Sequence, residues 1–509
     1  MVITELAEEL LAVIAEEDPL NDFLDGYPGY EASLGDPDET AQAQLADRAK
    51  RIAEAASALE PSVTRGVLLQ QAEALVTRVE SRLVEHTMWD FMVSPLAKLL
   101  GALPESSGDH PARLAAIPEF LAKSAERHRI GVAAGRTPVA SRARAAVQRI
   151  DAYLADPAND SLRRGPETDQ LLADVVRPAF ATYRDVLDKI GGRPDEQPGL
   201  CWLPDDGRTY EALVRMHTTT DQTPEQLHQT GLDAIARLAE EYRELGSSIE
   251  DIRMNPVMRY SSAEEVLAIP RAAIKRAEEA APRWFGRMPA RRCTVEATPP
   301  AKAPGTSVAA YSPQAATYQA NTYRWEQRDR CVAEANAFHE GVPGHHFQIS
   351  LAKELTGVPR LRQVAWINAY LEGWALYCER LADEMGLYSD NAARLGMLVN
   401  ESVRAARLVV DTGLHSFGWT RQQAVDYLRT ATAMNEVEVQ QETDRYIELP
   451  GQGLSYLSGK LEIDRIRGIA EARWGPAFDP RAFHDVVLGT GPVPMTVLEQ
   501  VVTGWMAEA

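Results

Sequence analysis

Three histidines and one glutamate crowd into a single short stretch, Phe338 to Gln348, which reads FHEGVPGHHFQ. Zinc chemistry needs neutral imidazoles and carboxylates converging at about 2 Å. In the motif H-E-x-x-H, two histidines one helical turn apart share the metal, and the glutamate between them takes a proton from water. Here His339 and Glu340 supply the first half, but the fifth position is Pro343, and the next histidines are His345 and His346. In a straight helix the sixth residue on lies off the His339 face. The seventh returns to that face but ~10.5 Å along the axis. Neither could share a metal with His339 unless the helix breaks. Gly341, Pro343 and Gly344 are all poor in a helix interior, and Pro343 biases Val342 away from helical geometry. A bulge that absorbs two residues makes His345 the second ligand; one that absorbs three makes it His346. The plain alternative is a Pro-Gly turn with histidines at a helix start. It suits His346 best, which would then pack, hydrogen-bond or touch substrate.

A catalytic zinc usually takes three protein ligands and keeps one open position. The segment VAWINAYLEGWALYCERLADEMG offers the third. Ile367, Leu371, Trp374, Cys378 and Leu381 form an apolar stripe at helical spacing; Asn368, Glu372, Ala375 and Glu379 form the stripe beside it. A carboxylate at Glu372, next to a buried stripe, must be paired or bound to metal. Its bland partner would be Arg380 or Arg404. Glu379 reads as a group behind the metal or at the surface.

Amide hydrolysis also needs a stabilised oxyanion. His415 lies four residues after Asp411 on one helix face, so Asp411 could orient its imidazole. Tyr456 follows a Pro-Gly turn, and a phenol can donate to a developing oxyanion. For both, the competing reading is a packed polar residue. Arg445 could clamp a substrate carboxylate, with Tyr446 beside it, unless Arg445 only pairs with Glu442. The segment ATYQANTY could be an edge strand that pairs with a peptide, with Tyr318 and Asn321 as contacts.

The elements that must position these groups are mostly helices. DETAQAQLADRAKRIAEAASAL and TRGVLLQQAEALVTRVESRLVEH repeat apolar positions every three or four residues and are rich in helix formers. TPEQLHQTGL opens with a capping box, Thr223 as N-cap, Pro224 first and Gln226 as its partner. Between about 292 and 322 the composition shifts to Pro, Thr, Val, Ala and Tyr, which reads as short strands and turns. SVAAYS and ATYQANTY could pair. Helices resume near Trp325. The expected division is a helical part, 1–291, and a catalytic part, 292–509, the two forming one body around a cleft.

The chain has 509 residues, 45% hydrophobic and 25% charged, with a net charge of −21. Such a surface repels a nucleic-acid backbone. The four cysteines form no C-x-x-C pair, which excludes a Cys-rich zinc knuckle and a disulfide scaffold. The start of the chain is acidic and amphipathic, without the basic and apolar blocks of a secretory signal, and no apolar run approaches the ~20 residues of a membrane helix. A cytoplasmic protein without membrane partners is expected. A di-iron bundle needs two Glu-x-x-His elements, and only Glu225 to His228 supplies one. No G-x-S-x-G elbow or phosphate-binding glycine loop is evident.

INAYLEGWALYCE resembles the LNEGFA-x-Y segment of the aminopeptidase-N family, whose glutamate is the third zinc ligand; that residue falls on Glu372. FHE…GHHFQ resembles the FHE-x-GH of thimet oligopeptidases with two residues inserted. Dipeptidyl peptidase III is similar, with one inserted, and this precedent favours His345. HEGVPGHH, LEGWALYCERL, RLVVDTGLHSFGWT and DRYIELPGQGLSYLSGKLEI together resemble the bacterial domain-of-unknown-function 885 family, itself similar to gluzincin zinc metallopeptidases. The resemblance implies a large, mostly α-helical, metallopeptidase-like fold with a small sheet before the HE…GHH helix. It implies one Zn²⁺ held by His339, His345 and Glu372, with Glu340 as general base. The expected activity is hydrolysis of short peptides or related amides. The rival expectation is a non-enzymatic binding or scaffold protein that retains the fold.

Overall fold

The computed structural model describes residues 3–24, 27–204, 207–255, 258–299, 303 and 307–508. The periodic segments fold as helices with the expected caps. Glu39–Ser57 begins at Asp38, whose side chain accepts from the Thr40 and Ala41 amides, and Val63–Glu80 begins at Ser62. Pro224–Glu244 starts with the complete Thr223/Gln226 capping box. Such caps satisfy amides that helix geometry leaves unpaired, at about 1 kcal/mol each.

The described strands make one small sheet. β1 (Thr294–Ala297) runs parallel to β3 (Thr317–Ala320), and β2 (Ala309–Ser312) runs antiparallel to it on the other side. The order β1-β3-β2 puts β3 in the middle. The expectation that ATYQANTY is a free edge is therefore corrected: β3 is paired on both sides, and the edges are β1 and β2. Tyr318 and Asn321 are buried at 2% and 0% exposure, and the Asn321 amide donates to the carbonyls of Ala303 and Ser307. Neither can meet a substrate.

The largest apolar core spans the composition change near residue 292. It takes Leu6, Leu10, Leu68 and Leu75 from before it and Phe338, Tyr370 and Trp374 from after it. A polar tie crosses the same seam, the Gln71 amide donating to the Trp366 carbonyl at 2.9 Å. A separate core of Leu96, Leu114, Leu121, Phe180 and Leu187 consolidates the helices His110–Ala133 and Arg177–Lys189. This lobe is held against the rest where Glu448 accepts the Met88 and Trp89 amides. No helix among the described residues is long and apolar enough to cross a membrane, and all four cysteines are free thiols.

Two helices carry most of the load under the site. Asn368–Glu384 buries its predicted stripe, with Ile367, Leu371, Trp374, Cys378 and Leu381 at 0–2% exposure. Burial of Leu371 and Leu381 contributes roughly 2 kcal/mol each. This helix lies directly on Ser455–Trp474, because glycines meet at the crossing: a Cβ on Gly459 would fall 2.0 Å from the Ala369 carbonyl oxygen. Gly459→Ala should thus force the two backbones apart and lower stability by about 1–3 kcal/mol. The expected readout is a lower urea midpoint with an unchanged m-value; an unaltered midpoint would contradict the close packing.

Candidate metal centre

His339 and Glu340 are the last two residues of the helix Ala333–Glu340, and His345 is the first of the next helix, His345–Lys353. The four residues between form a tight turn with a cis Val342–Pro343 bond. The turn closes because Gly344 has no side chain. A Cβ there would lie 1.9 Å from the His339 carbonyl oxygen and 2.4 Å from that of Phe338. The helix Asn368–Glu384 clamps the turn: Trp374 Nε1–H donates to the Pro343 carbonyl at 3.0 Å, and the Cys378 thiol approaches the same oxygen. Gln348 adds a bond to the Tyr370 carbonyl.

The result is a convergence of His339, His345 and Glu372, each with a ligand atom within 4.8 Å of the others. Glu372 Oε2 lies 3.5 Å from His339 Nε2 and 3.4 Å from His345 Nε2. Two ligand atoms bound ~2.05 Å from one tetrahedral ion are ~3.3 Å apart. The observed spacings match the edges of such a tetrahedron. Two imidazoles and a carboxylate are also a donor set that catalytic zinc takes. Neither arginine considered for Glu372 pairs with it: Arg380 pairs with Glu241 and Glu401, and Arg404 makes no ion pair among the described residues.

The imidazole of His339 is aimed from behind. Its Nδ1–H donates to Glu379 Oε1 at 2.8 Å, which turns Nε2 toward Glu372 and His345. Glu379, 1% exposed, also accepts from Asn400 Nδ2 at 3.1 Å, and Asn400 in turn donates to Asn336. Burial opposes a charge on His339, but hydrogen bonds to Glu372 and Glu379 and the field of Glu340 outweigh it and raise its pKa to about 10. Burial likewise works to raise the Glu372 carboxyl, yet His339 and His345 hold it well below the usual range. The pocket is thus arranged to hold positive charge at the point where the three ligands meet.

These groups line a cleft of about 1040 Å³, with Glu340, Tyr456, Arg404, Arg407 and Arg445 in its walls. The Tyr456 ring stacks on that of His339 at 6.5 Å. Arg445 reaches the Tyr456 hydroxyl at 3.4 Å and also contacts Glu442 and Gln452. Val308–Tyr311, on the β2 side of the sheet, form another wall.

Four expected site residues lie outside the cleft besides Asn321. His346 is the residue that the bulge turns away. Its Nε2–H donates to the Arg291 carbonyl, its Nδ1 accepts from Tyr311 Oη, and burial lowers its pKa to about 4. His415 is buried elsewhere: Nδ1 accepts the Leu200 amide and Nε2–H donates to the Tyr446 carbonyl. Asp411 does not orient it, because that carboxylate accepts from Tyr210 Oη and the Gly451 amide. Tyr446 sits at 1% exposure behind Arg407, donating to Glu442 and accepting from Arg407 Nε. Tyr318 is the inner strand residue already described. Arg407 was not legible as a site residue; in sequence it is one arginine in a long amphipathic helix, Asn391–His415.

The sequence matches the family described as bacterial proteins of unknown function, DUF885, over residues 19–502, and the chain belongs to that family. No curated protein matches it. Its fold is shared with the crystal structure of "the putative lipoprotein from Colwellia psychrerythraea", at TM-score 0.90 and 24% identity, covering 100% of this chain and 99% of that one. It also resembles "a putative lipoprotein of unknown function from Shewanella oneidensis", at TM-score 0.70 and 16% identity, covering 99% of this chain and 100% of that one.

The geometry separates the adjacent histidines by experiment. His345→Ala should abolish tight zinc binding, whereas His346→Gln should leave the affinity within about threefold, since its ring faces away. Glu379→Gln should weaken zinc binding roughly 10–100-fold by loosening His339. Competition titration against a chromophoric chelator reads all three; equal losses for His345 and His346 would overturn the ligand assignment.

Proposed function

We propose that the protein is a zinc-dependent hydrolase of peptide or related amide bonds. The observation that carries this reading is the convergence of His339, His345 and Glu372, backed by Glu379, at the floor of a large cleft. A zinc ion held there supplies Lewis acidity. The remaining roles fall to the chain's own side chains. Glu340 follows His339 directly and faces the cleft, placed to take a proton from the attacking water and return it to the leaving amine. Tyr456, stacked on His339 with Arg445 at its hydroxyl, is placed to donate to the developing oxyanion.

An extended peptide suits the cleft because β2 is an edge strand of the sheet and its residues form one wall. Backbone pairing along that edge would align a chain without demanding particular side chains. This replaces the contacts expected of Tyr318 and Asn321. Short peptides are the substrate class we favour. The excess of acidic groups speaks against nucleic acid as a partner. Four free thiols favour a reducing, cytoplasmic setting, whereas the lipoprotein names of the two solved relatives favour the cell envelope. Fractionation of the producing cells discriminates the two.

Purified protein should carry one zinc ion per chain by elemental analysis. Glu340→Gln should keep that zinc and lower kcat for peptide hydrolysis by ~10²–10⁴-fold. Tyr456→Phe should keep it and lower kcat roughly 10²-fold, with a smaller change in KM. A chain that takes up no zinc on reconstitution would instead be a binding protein on this fold, and full activity in Glu340→Gln would remove the general-base role.

A further inference from the structure

Three guanidinium groups gather on the cleft wall beyond Tyr456. Arg407 lies over the Tyr456 ring at 4.5 Å, Arg404 over the same ring at 5.8 Å, and Arg445 touches its hydroxyl. Their ion-pair complement is incomplete. Glu442 pairs with Arg407 at 2.9 Å and Arg445 at 3.4 Å. Arg404 has only the Asn400 carbonyl at 3.4 Å among the described residues, and its Nε is buried without a partner. Arg407 is 6% exposed, and its buried Nη1 is likewise unpartnered. Glu438, also among the cleft residues, accepts the Asn435 amide in a capping box and makes no hydrogen bond or ion pair with these arginines among the described residues. Two arginines with unmet donors beside a single shared carboxylate leave this wall positively charged in an otherwise acidic protein.

We infer that Arg404 and Arg407, with Arg445, form a subsite for the free C-terminal carboxylate of a peptide substrate. This rests on the hydrolase reading above and makes the enzyme one that trims peptides from the C-terminal end. Guanidinium forks suit a carboxylate because they donate two parallel hydrogen bonds, and desolvation strengthens them. Spacing sets the register. The Tyr456 ring lies 6.5 Å from the His339 ring and 4.5 Å from the Arg407 guanidinium, and the two distances together bound the separation of His339 and Arg407. At ~3.4 Å per extended residue, at most about three residues fit between the scissile bond and the carboxylate. The cluster is thus a ruler as well as a clamp.

The test uses one N-acetylated peptide as free acid and as C-terminal amide, and a third, amidated peptide with a glutamate near its end. The wild-type enzyme should cleave the free acid with kcat/KM at least ~30-fold above the amide. Arg404→Met, and Arg407→Lys, which keeps a charge for Glu442, should each shrink that ratio to about threefold or less, mainly through KM. Equal rates for acid and amide, or an unchanged ratio in both variants, would overturn the subsite. Equal cleavage of the glutamate peptide and the free acid would overturn the assignment to the C-terminus. Calorimetric binding of acid and amide is measured in parallel on zinc-free protein. If zinc or hydrolysis is absent, the hydrolase reading fails, while tighter acid binding that Arg404→Met abolishes still supports the subsite and equal binding still refutes it.

Discussion

The hydrogen bond from His339 to Glu379 is the constraint around which the His339, His345 and Glu372 cluster is organised. A carboxylate at 1% exposure is tolerable only if its oxygens are satisfied. Here one oxygen takes the imidazole N–H and the other takes Asn400, so the helices Ala333–Glu340, Asn368–Glu384 and Asn391–His415 must meet around it. The same bond fixes which nitrogen of His339 is free and where it points. Ligand geometry and helix packing are therefore one problem with one solution.

Close backbone approach solves the rest. Gly344 lets the broken helix fold against its own last carbonyls, and the Gly373–Gly459 contact lets Asn368–Glu384 sit low enough to present Glu372 to both histidines. Trp374 ties these two features together by donating to the turn that Gly344 closes. A single helix thus supplies Glu372, the carboxylate behind His339 and the anchor for the turn that leads to His345. The positions of His339, His345 and Glu372 are thus set by helices.

The cleft is asymmetric in charge. The floor concentrates Glu340, Glu372 and Glu379 around the imidazoles, which favours positive charge there. The wall beyond Tyr456 concentrates guanidinium groups, and Arg407 and Arg445 hold Glu442 down to about pKa 2 although burial would raise it. On the hydrolase reading proposed above, a dipolar substrate entering between these poles would be oriented before any bond changes. The β2 edge adds a direction for the backbone.

Much of this was legible in the sequence, for identifiable reasons. Helical period gave the Asn368–Glu384 stripe, and with it the proximity of Glu372 and Glu379, because residues at fixed spacing share a face whatever the fold. Capping chemistry at Thr223 is equally local. Breakers at 341–344 announced that the helix must fail, but not how far it would turn. The choice of His345 over His346 needed the actual path of the turn, since adjacent residues on a new helix point about 100° apart. Local periodicity also misled: Asp411 and His415 share a helix face, yet both are spent on packing partners from segments two hundred residues away. Strand order, the burial of Tyr318 and Asn321, and the gathering of Arg404, Arg407 and Arg445 around Tyr456 were decided only in three dimensions. Residue type and spacing fix which groups can act together on one element; which elements face one cavity depends on contacts that no local pattern encodes.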